Sequence, residues 1–86
     1  MKLYTLEPKT VRDSEGVARN VNDAFLEYDI EIGFVICARN QSHAREQAAS
    51  VGGDLWQDDK ATTCVYLGNP RLGMASEIVM TSYRAG

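Results

Sequence analysis

Length and composition predict a single folded domain. The chain has 86 residues, of which 44% are hydrophobic and 24% charged, with a formal net charge of −3; this excludes a disordered chain. The longest apolar run, Gly33–Ala38, is too short to span a membrane, and the acidic balance argues against direct binding to nucleic acid. The opening stretch MKLYTLEP alternates and has no apolar run, so we expect no signal peptide. Two Cys are too few for a disulfide scaffold or a structural zinc site. We therefore expect a cytoplasmic protein with reduced thiols and no membrane contact.

The first half of the chain predicts two strands separated by irregular segments. Alternating side chains predict a strand over Lys2–Glu7, ended by Pro8. Residues 9–20 are polar and without a period, so we expect a long loop there. Apolar residues at helical spacing (Val21, Ala24, Phe25 and Tyr28) predict one or two helical turns within 20–29. The nearly continuous apolar run Ile30–Ala38 predicts a central strand, in which Gly33 marks a bulge or a close backbone approach.

The second half predicts one helix and two further strands. Asn40 or Ser42 is a suitable N-cap, and Gly52-Gly53 ends the helix. We expect an apolar stripe against the sheet and polar side chains turned to water or the flanks; the stripe is Ala44, Ala48 and Val51, and the polar side chains are Arg45, Glu46 and Gln47.

The helix is followed by a loop and two strands. We predict a loop over Leu55–Lys60 and a strand over Thr62–Leu67. We predict a last strand over Glu77–Tyr83 that pairs antiparallel with the Thr62–Leu67 strand. The order β-β-α-β-β predicts an α+β domain, a two-layer sandwich of a three- or four-stranded, mostly antiparallel sheet and one main helix.

One helix covers only part of one sheet face. The other face would carry residues such as Tyr4, Val35 and Cys37. Either residues 20–29 or a second copy of the chain could cover this face. Because large uncovered apolar patches are rare on monomers, a homodimer or a partner protein is expected.

The sequence predicts neither a catalytic nor a metal site. The single His, His43, falls in the first turn of the predicted helix, where a surface position is favoured over a metal ligand. Cys37 and Cys64 lie in predicted strands and are interpreted as small hydrophobic residues, although a reactive Cys paired with His43 stays open as an alternative. Adjacent acids such as Asp58-Asp59 diverge in an extended segment. No glycine-rich stretch carries the Lys and Ser or Thr of a phosphate loop, so we predict no cofactor and no enzymatic activity.

Acidic residues concentrate in two segments. The first runs from Asp23 to Glu31 without a Lys or Arg, and the second surrounds Asp58-Asp59. Either these are solvated loops or they meet a basic patch on a partner. Trp56 either closes the core or serves as an exposed anchor. The predicted partner-binding residues are Asp23, Glu27, Asp29, Glu31, Trp56, Asp58 and Asp59.

Three stretches, MKLYTLEP, GFVICARNQSHAREQAA and LWQDDKATTCVYL, together resemble short uncharacterised proteins of bacteriophages and their bacterial hosts. That group shares an MKLY-like strand, a GFV strand, an ARxxAA helix and a W-x-D…TTC strand entry. The resemblance covers about half the chain, its motifs are structural, and Asp58-Asp59 stands where the group more often has Asp-Pro. Such small acidic proteins look like anti-defence factors, including anti-CRISPR proteins. The resemblance implies an inhibitor that occludes a host defence protein, such as a CRISPR-Cas component, in the host cytoplasm.

Two alternatives differ in what they require. A protein that sequesters a nucleotide signal in a pocket between subunits would need cations such as Arg39, Arg45 or Arg71 to converge on the ligand. A small enzyme, ranked last, would depend on Cys64.

Overall fold

The computed structural model describes residues 1–26, 30–71 and 73–84, which form an α+β fold as predicted. The strands are β1 Lys2–Pro8, β2 Thr10–Arg12, β3 Ala18–Asn20, β4 Ile30–Ala38, β5 Thr62–Gly68 and β6 Glu77–Arg84. The α-helix, α1, is Gln41–Gly52, and two short 3-10 helices span Asp23–Leu26 and Asp54–Gln57. The first 3-10 helix lies within the segment for which helical turns were predicted, and the second lies in the predicted loop after α1.

The main sheet has the strand order β5-β1-β4-β6, with every neighbouring pair antiparallel. β4 is therefore an interior strand, as predicted. The predicted pairing of β6 with β5 is wrong, because β1 and β4 lie between them. Three strand spacings amount to about 14 Å, and the connection 69–76 reaches that far within the length of an extended chain. A long connection thus allowed β6 to take the far edge instead of folding back as a hairpin.

The helix packs on one face of this sheet mainly through two alanines. Ala44 and Ala48 are fully buried, whereas Val51 is 52% exposed, so the predicted stripe is one residue too long. Asn40 is the N-cap, since its side chain accepts a hydrogen bond from the backbone N–H of His43 at 2.9 Å. Gly53 follows the helix with φ of 92°, a conformation that favours glycine. The core beneath the helix contains Tyr4, Leu6, Phe25, Phe34, Ile36, Ala38, Trp56 and Ala61.

The opposite face of the sheet has no helix against it in the described part of the chain. Register places Thr5 beside Val35 and Leu3 beside Cys37 on this face, while Tyr4, beside Ile36, belongs to the core. The assignment of Tyr4 to the uncovered face is therefore wrong. Two side chains that follow the same alternation, Val65 and Met80, are 52% and 60% exposed. We refer to this surface as the open face.

Residues 9–20 form a hairpin and not the predicted loop. β2 pairs with β3 over three residue pairs, and Asp13 closes the turn by accepting hydrogen bonds from the backbone N–H groups of Glu15 and Val17 at 2.9 and 3.0 Å. Arg19 adds an ion pair to the same carboxylate at 2.8 Å. The strand pattern was missed because nearly every side chain here is solvent-exposed, so no apolar alternation marks it.

Candidate protein-binding surface

Trp56 lies in the core and links two distant parts of the chain. Its side chain is 1% exposed, and its ring packs edge-on against Phe25 and Phe34, with centroids 5.4 and 4.8 Å away. This agrees with the interpretation that Trp56 closes the core. It also removes Trp56 from the predicted contact residues, because a side chain buried this deeply offers almost no area to a partner.

The contact between Trp56 and Phe25 brings the two acidic segments together. Asp23 opens the first 3-10 helix and Asp54 opens the second. The sheet contributes to the same end, because β1 finishes there with Glu7 opposite Thr63, and β4 and β5 begin there. We call this region the acidic end; its described acids are Glu7, Asp23, Glu31, Asp54, Asp58 and Asp59. Two further predicted contact residues, Glu27 and Asp29, lie outside the described residues.

Most carboxylates of the acidic end are available to a partner. Asp23, Asp54 and Asp59 are exposed, and their side chains make no hydrogen bond or ion pair in the described part of the chain. Asp58 is exposed but has a local role, since Oδ1 accepts a hydrogen bond from the backbone N–H of Lys60 at 2.8 Å. Glu31 is half-buried and accepts a hydrogen bond from the Thr81 hydroxyl at 3.0 Å. The predicted contact residues therefore differ in how freely they can be engaged.

Charge is distributed unevenly along the sheet. Four cations share the acidic end with its six described acids: Lys9, Arg45, Lys60 and Arg84. At the opposite end, where β1 begins and β4 and β5 finish, the balance is reversed; Lys2, Arg39 and Arg71 lie there with Glu77. The molecule thus presents acidic and basic ends, an arrangement that orients it in the field of a charged partner.

Arg45 is a structural clamp. One guanidinium nitrogen donates to the Thr62 hydroxyl at 2.7 Å and to the Trp56 carbonyl at 3.1 Å, and the other donates to the Thr62 carbonyl at 3.2 Å. Arg45 is half-buried, and it extends from α1 to the Trp56 carbonyl in the second 3-10 helix and to Thr62 at the start of β5. Its position at the acidic end also separates it from Arg39 and Arg71 within the chain.

The contacts of His43 involve both ring nitrogens. Nδ1 accepts a hydrogen bond from the backbone N–H of Arg39 at 3.2 Å, which favours a neutral ring with its proton on Nε2. Nε2 lies 3.4 Å from the Ser76 hydroxyl and 3.2 Å from the Gln47 amide nitrogen. That amide nitrogen is itself a donor, so its contact favours the other tautomer.

The two thiols offer little support for a nucleophile. Cys37 is fully buried. Burial raises the pKa of the Cys64 thiol, an effect that the charge of Arg45 opposes in part. A reactive thiol needs the opposite shift, towards a lower pKa. The described contacts do not join either Cys to His43.

Searches against protein families, curated proteins and solved structures found no match. Within the described residues, no group of three His, Cys, Asp or Glu is arranged to hold a metal ion. Over the same residues, no helix has the length and apolar character needed to cross a membrane.

Proposed function

We propose that this protein is a binding inhibitor of the anti-defence, anti-CRISPR-like type, which occludes a basic surface of a host protein with its acidic end. The observation that carries the proposal is the meeting of two acidic segments through the contact between Phe25 and Trp56. Three exposed carboxylates there, those of Asp23, Asp54 and Asp59, have no partner within the described residues. Within the described residues no ion pair neutralises their charge.

The mechanism is electrostatic steering followed by steric occlusion. Host proteins that bind nucleic acid carry basic surfaces, because Lys and Arg side chains neutralise the phosphate charge. An acidic end accelerates encounter with such a surface, and the basic opposite end favours one orientation of approach. Once bound, the domain covers the residues that would otherwise contact nucleic acid, so no chemical step is needed.

The test compares two triple variants with equal charge change. The first carries Asp23→Lys, Asp54→Lys and Asp59→Lys, which break no hydrogen bond in the described structure. The second carries Glu15→Lys, Glu46→Lys and Glu77→Lys, exposed acids of the hairpin, the helix and the opposite end. Tagged wild type and both variants are incubated with host lysate at several salt concentrations, and retained proteins are identified by mass spectrometry. Affinity for the retained protein is then measured with purified components.

We expect wild type to retain a nucleic-acid-binding defence component, with affinity falling as salt rises. The first variant should bind about tenfold more weakly or worse, given up to about 1 kcal/mol for each exposed charge, while the second should bind nearly as wild type. Equal affinity of the two triple variants would contradict the proposal, because total charge and not the acidic end would then govern binding.

A further inference from the structure

A groove crosses the open face at the acidic end of the sheet. It encloses about 400 Å³ and is open to solvent along one side. Its floor is the β4 backbone around Gly33, with Val35 beside it, and Met80 and Ser82 of β6 form one wall. Glu7 and the base of the hairpin border the other side. The volume falls within the range of ligand pockets, but such pockets enclose most of their ligand, and this groove does not.

Gly33 is an unusual residue to find inside an interior strand. A glycine inside a strand costs about 0.5–1 kcal/mol relative to alanine, and Gly33 lies in an interior strand next to a bulge at Ile32. Its φ is not among the positive values. A β-carbon built there would lie 3.6 Å from the Leu6 carbonyl and 3.7 Å from Cβ of Ser82, ordinary contact distances. The fold therefore accepts alanine at this position, where the added β-carbon would take up part of the groove floor beside Ser82.

The residues that line the groove determine what kind of ligand it can bind. Glu7 is the one charged residue that lines the groove within the described chain, and its carboxylate makes no ion pair there. No Lys or Arg lines it, so a phosphate or carboxylate would find no counter-charge. Val35 and Met80 offer apolar surface leading towards that carboxylate. A groove with this apolar surface and one carboxylate suits a side chain that has an aliphatic stem and a cationic head group, such as Arg or Lys.

We infer that this groove receives an Arg or Lys side chain of the partner protein, with its stem over Gly33 and its cationic group at the Glu7 carboxylate. The open side is then closed by the partner's own surface, which accounts for a groove too shallow to enclose a free small molecule. The inference rests on the proposed function in that the partner is basic. It adds a specific anchor point on the open face, separate from Asp23, Asp54 and Asp59.

The test uses a defined probe and leaves those three acids unchanged. The peptide acetyl-Gly-Ala-Arg-Ala-Gly-amide is titrated into ¹⁵N-labelled protein, and amide shifts are followed by NMR. A matched peptide with norleucine in place of Arg retains the stem and lacks the charge. The variants are Glu7→Gln, which removes the charge, and Gly33→Ala, which fills the floor. Glu46→Gln, on the exposed side of α1, is the control.

For the Arg peptide we expect saturable shifts at Thr5, Gly33 and Ser82, with a Kd on the order of millimolar for a single side chain. Glu7→Gln should raise that Kd about fivefold, and Gly33→Ala about tenfold through steric overlap without lowering the melting temperature. The norleucine peptide should give weaker shifts, and Glu46→Gln should bind as wild type. Absence of saturable shifts in wild type, or binding unchanged in both groove variants, would overturn the inference. Because no defence protein takes part, either result is independent of the proposed inhibition.

Discussion

Replacing Gly52 with alanine should destabilise the protein, although alanine is the better helix former. A β-carbon at Gly52 would lie 2.5 Å from Nε1 and 2.6 Å from Cδ1 of Trp56, and 3.3 Å from Cγ of Glu31. These distances to the indole are far inside van der Waals contact. Trp56 cannot yield easily, because Phe25 and Phe34 hold its ring from other sides. The substitution must therefore displace the core or the end of α1.

The expected magnitude follows from two opposing effects. Overpacking a core costs about 1–3 kcal/mol, while alanine in place of glycine in a helix gains up to about 1 kcal/mol. Because Gly52 is the last residue of α1, the gain should be smaller, and the free energy of unfolding should fall by about 1–2 kcal/mol. For a domain of this size the melting temperature would then fall by roughly 4–16 °C.

The assay is urea unfolding followed by Trp56 fluorescence, with thermal melts as a second measurement. Gly33→Ala is the matched control, since its β-carbon meets only ordinary contacts; it should be neutral or stabilising. If Gly52→Ala were as stable as wild type, the packing described around Trp56 would be refuted, and with it the reason that the two acidic segments meet.

Three further predictions concern other parts of the molecule. Arg45→Met should lower the free energy of unfolding by about 1–2 kcal/mol, because it removes the donors that hold the Trp56 carbonyl and the two oxygens of Thr62; urea unfolding equal to that of Glu46→Gln would contradict the clamp. The pKa of Asp13 is lowered by the hydrogen bond from the Val17 backbone and then by Arg19. The hairpin's stabilisation is therefore present above the pKa of the carboxyl in the unfolded chain and is lost as pH falls through its lower pKa in the folded protein. Amide spectra should show the turn loosening as Asp13 is protonated in acid, and a turn that stays unchanged when the carboxyl is protonated would argue against this role. His43 should show the Nε2–H tautomer in ¹⁵N spectra at alkaline pH, whereas an Nδ1–H ring would contradict its bond to the Arg39 backbone.

Local signals in the sequence predicted the elements that local interactions determine. The limits of β4 follow from one continuous apolar run, and those of α1 from Asn40 at one end and glycine at the other. Burial of Trp56 followed from its size and from the open edge of a small core. Each of these features depends on residues close together in the sequence, where patterns of hydrophobicity and capping act directly.

Features that depend on distant residues could not be predicted in the same way. β6 pairs with β4 and not with β5, because β1 occupies the inner edge of β5. No sequence pattern within β6 predicts this arrangement. The hairpin lacks apolar alternation, although the Asp13–Gly16 stretch carries a turn signal that could have suggested it. The acidic end and the groove arise only when β1, β4 and the two 3-10 helices are assembled, so the importance of Glu7 was not visible from its neighbours in the sequence.

The most direct test of the proposed inhibition is a plaque assay with a phage that is normally restricted by a CRISPR-Cas system. Host cells produce the wild-type protein, the Asp23→Lys, Asp54→Lys, Asp59→Lys variant, or the Glu15→Lys, Glu46→Lys, Glu77→Lys control, at equal soluble levels. We expect the wild type and the control to restore plaque formation and the first variant to fail. Restoration by both triple variants would contradict the role of the acidic end, and no restoration by the wild type would contradict inhibition of that defence system.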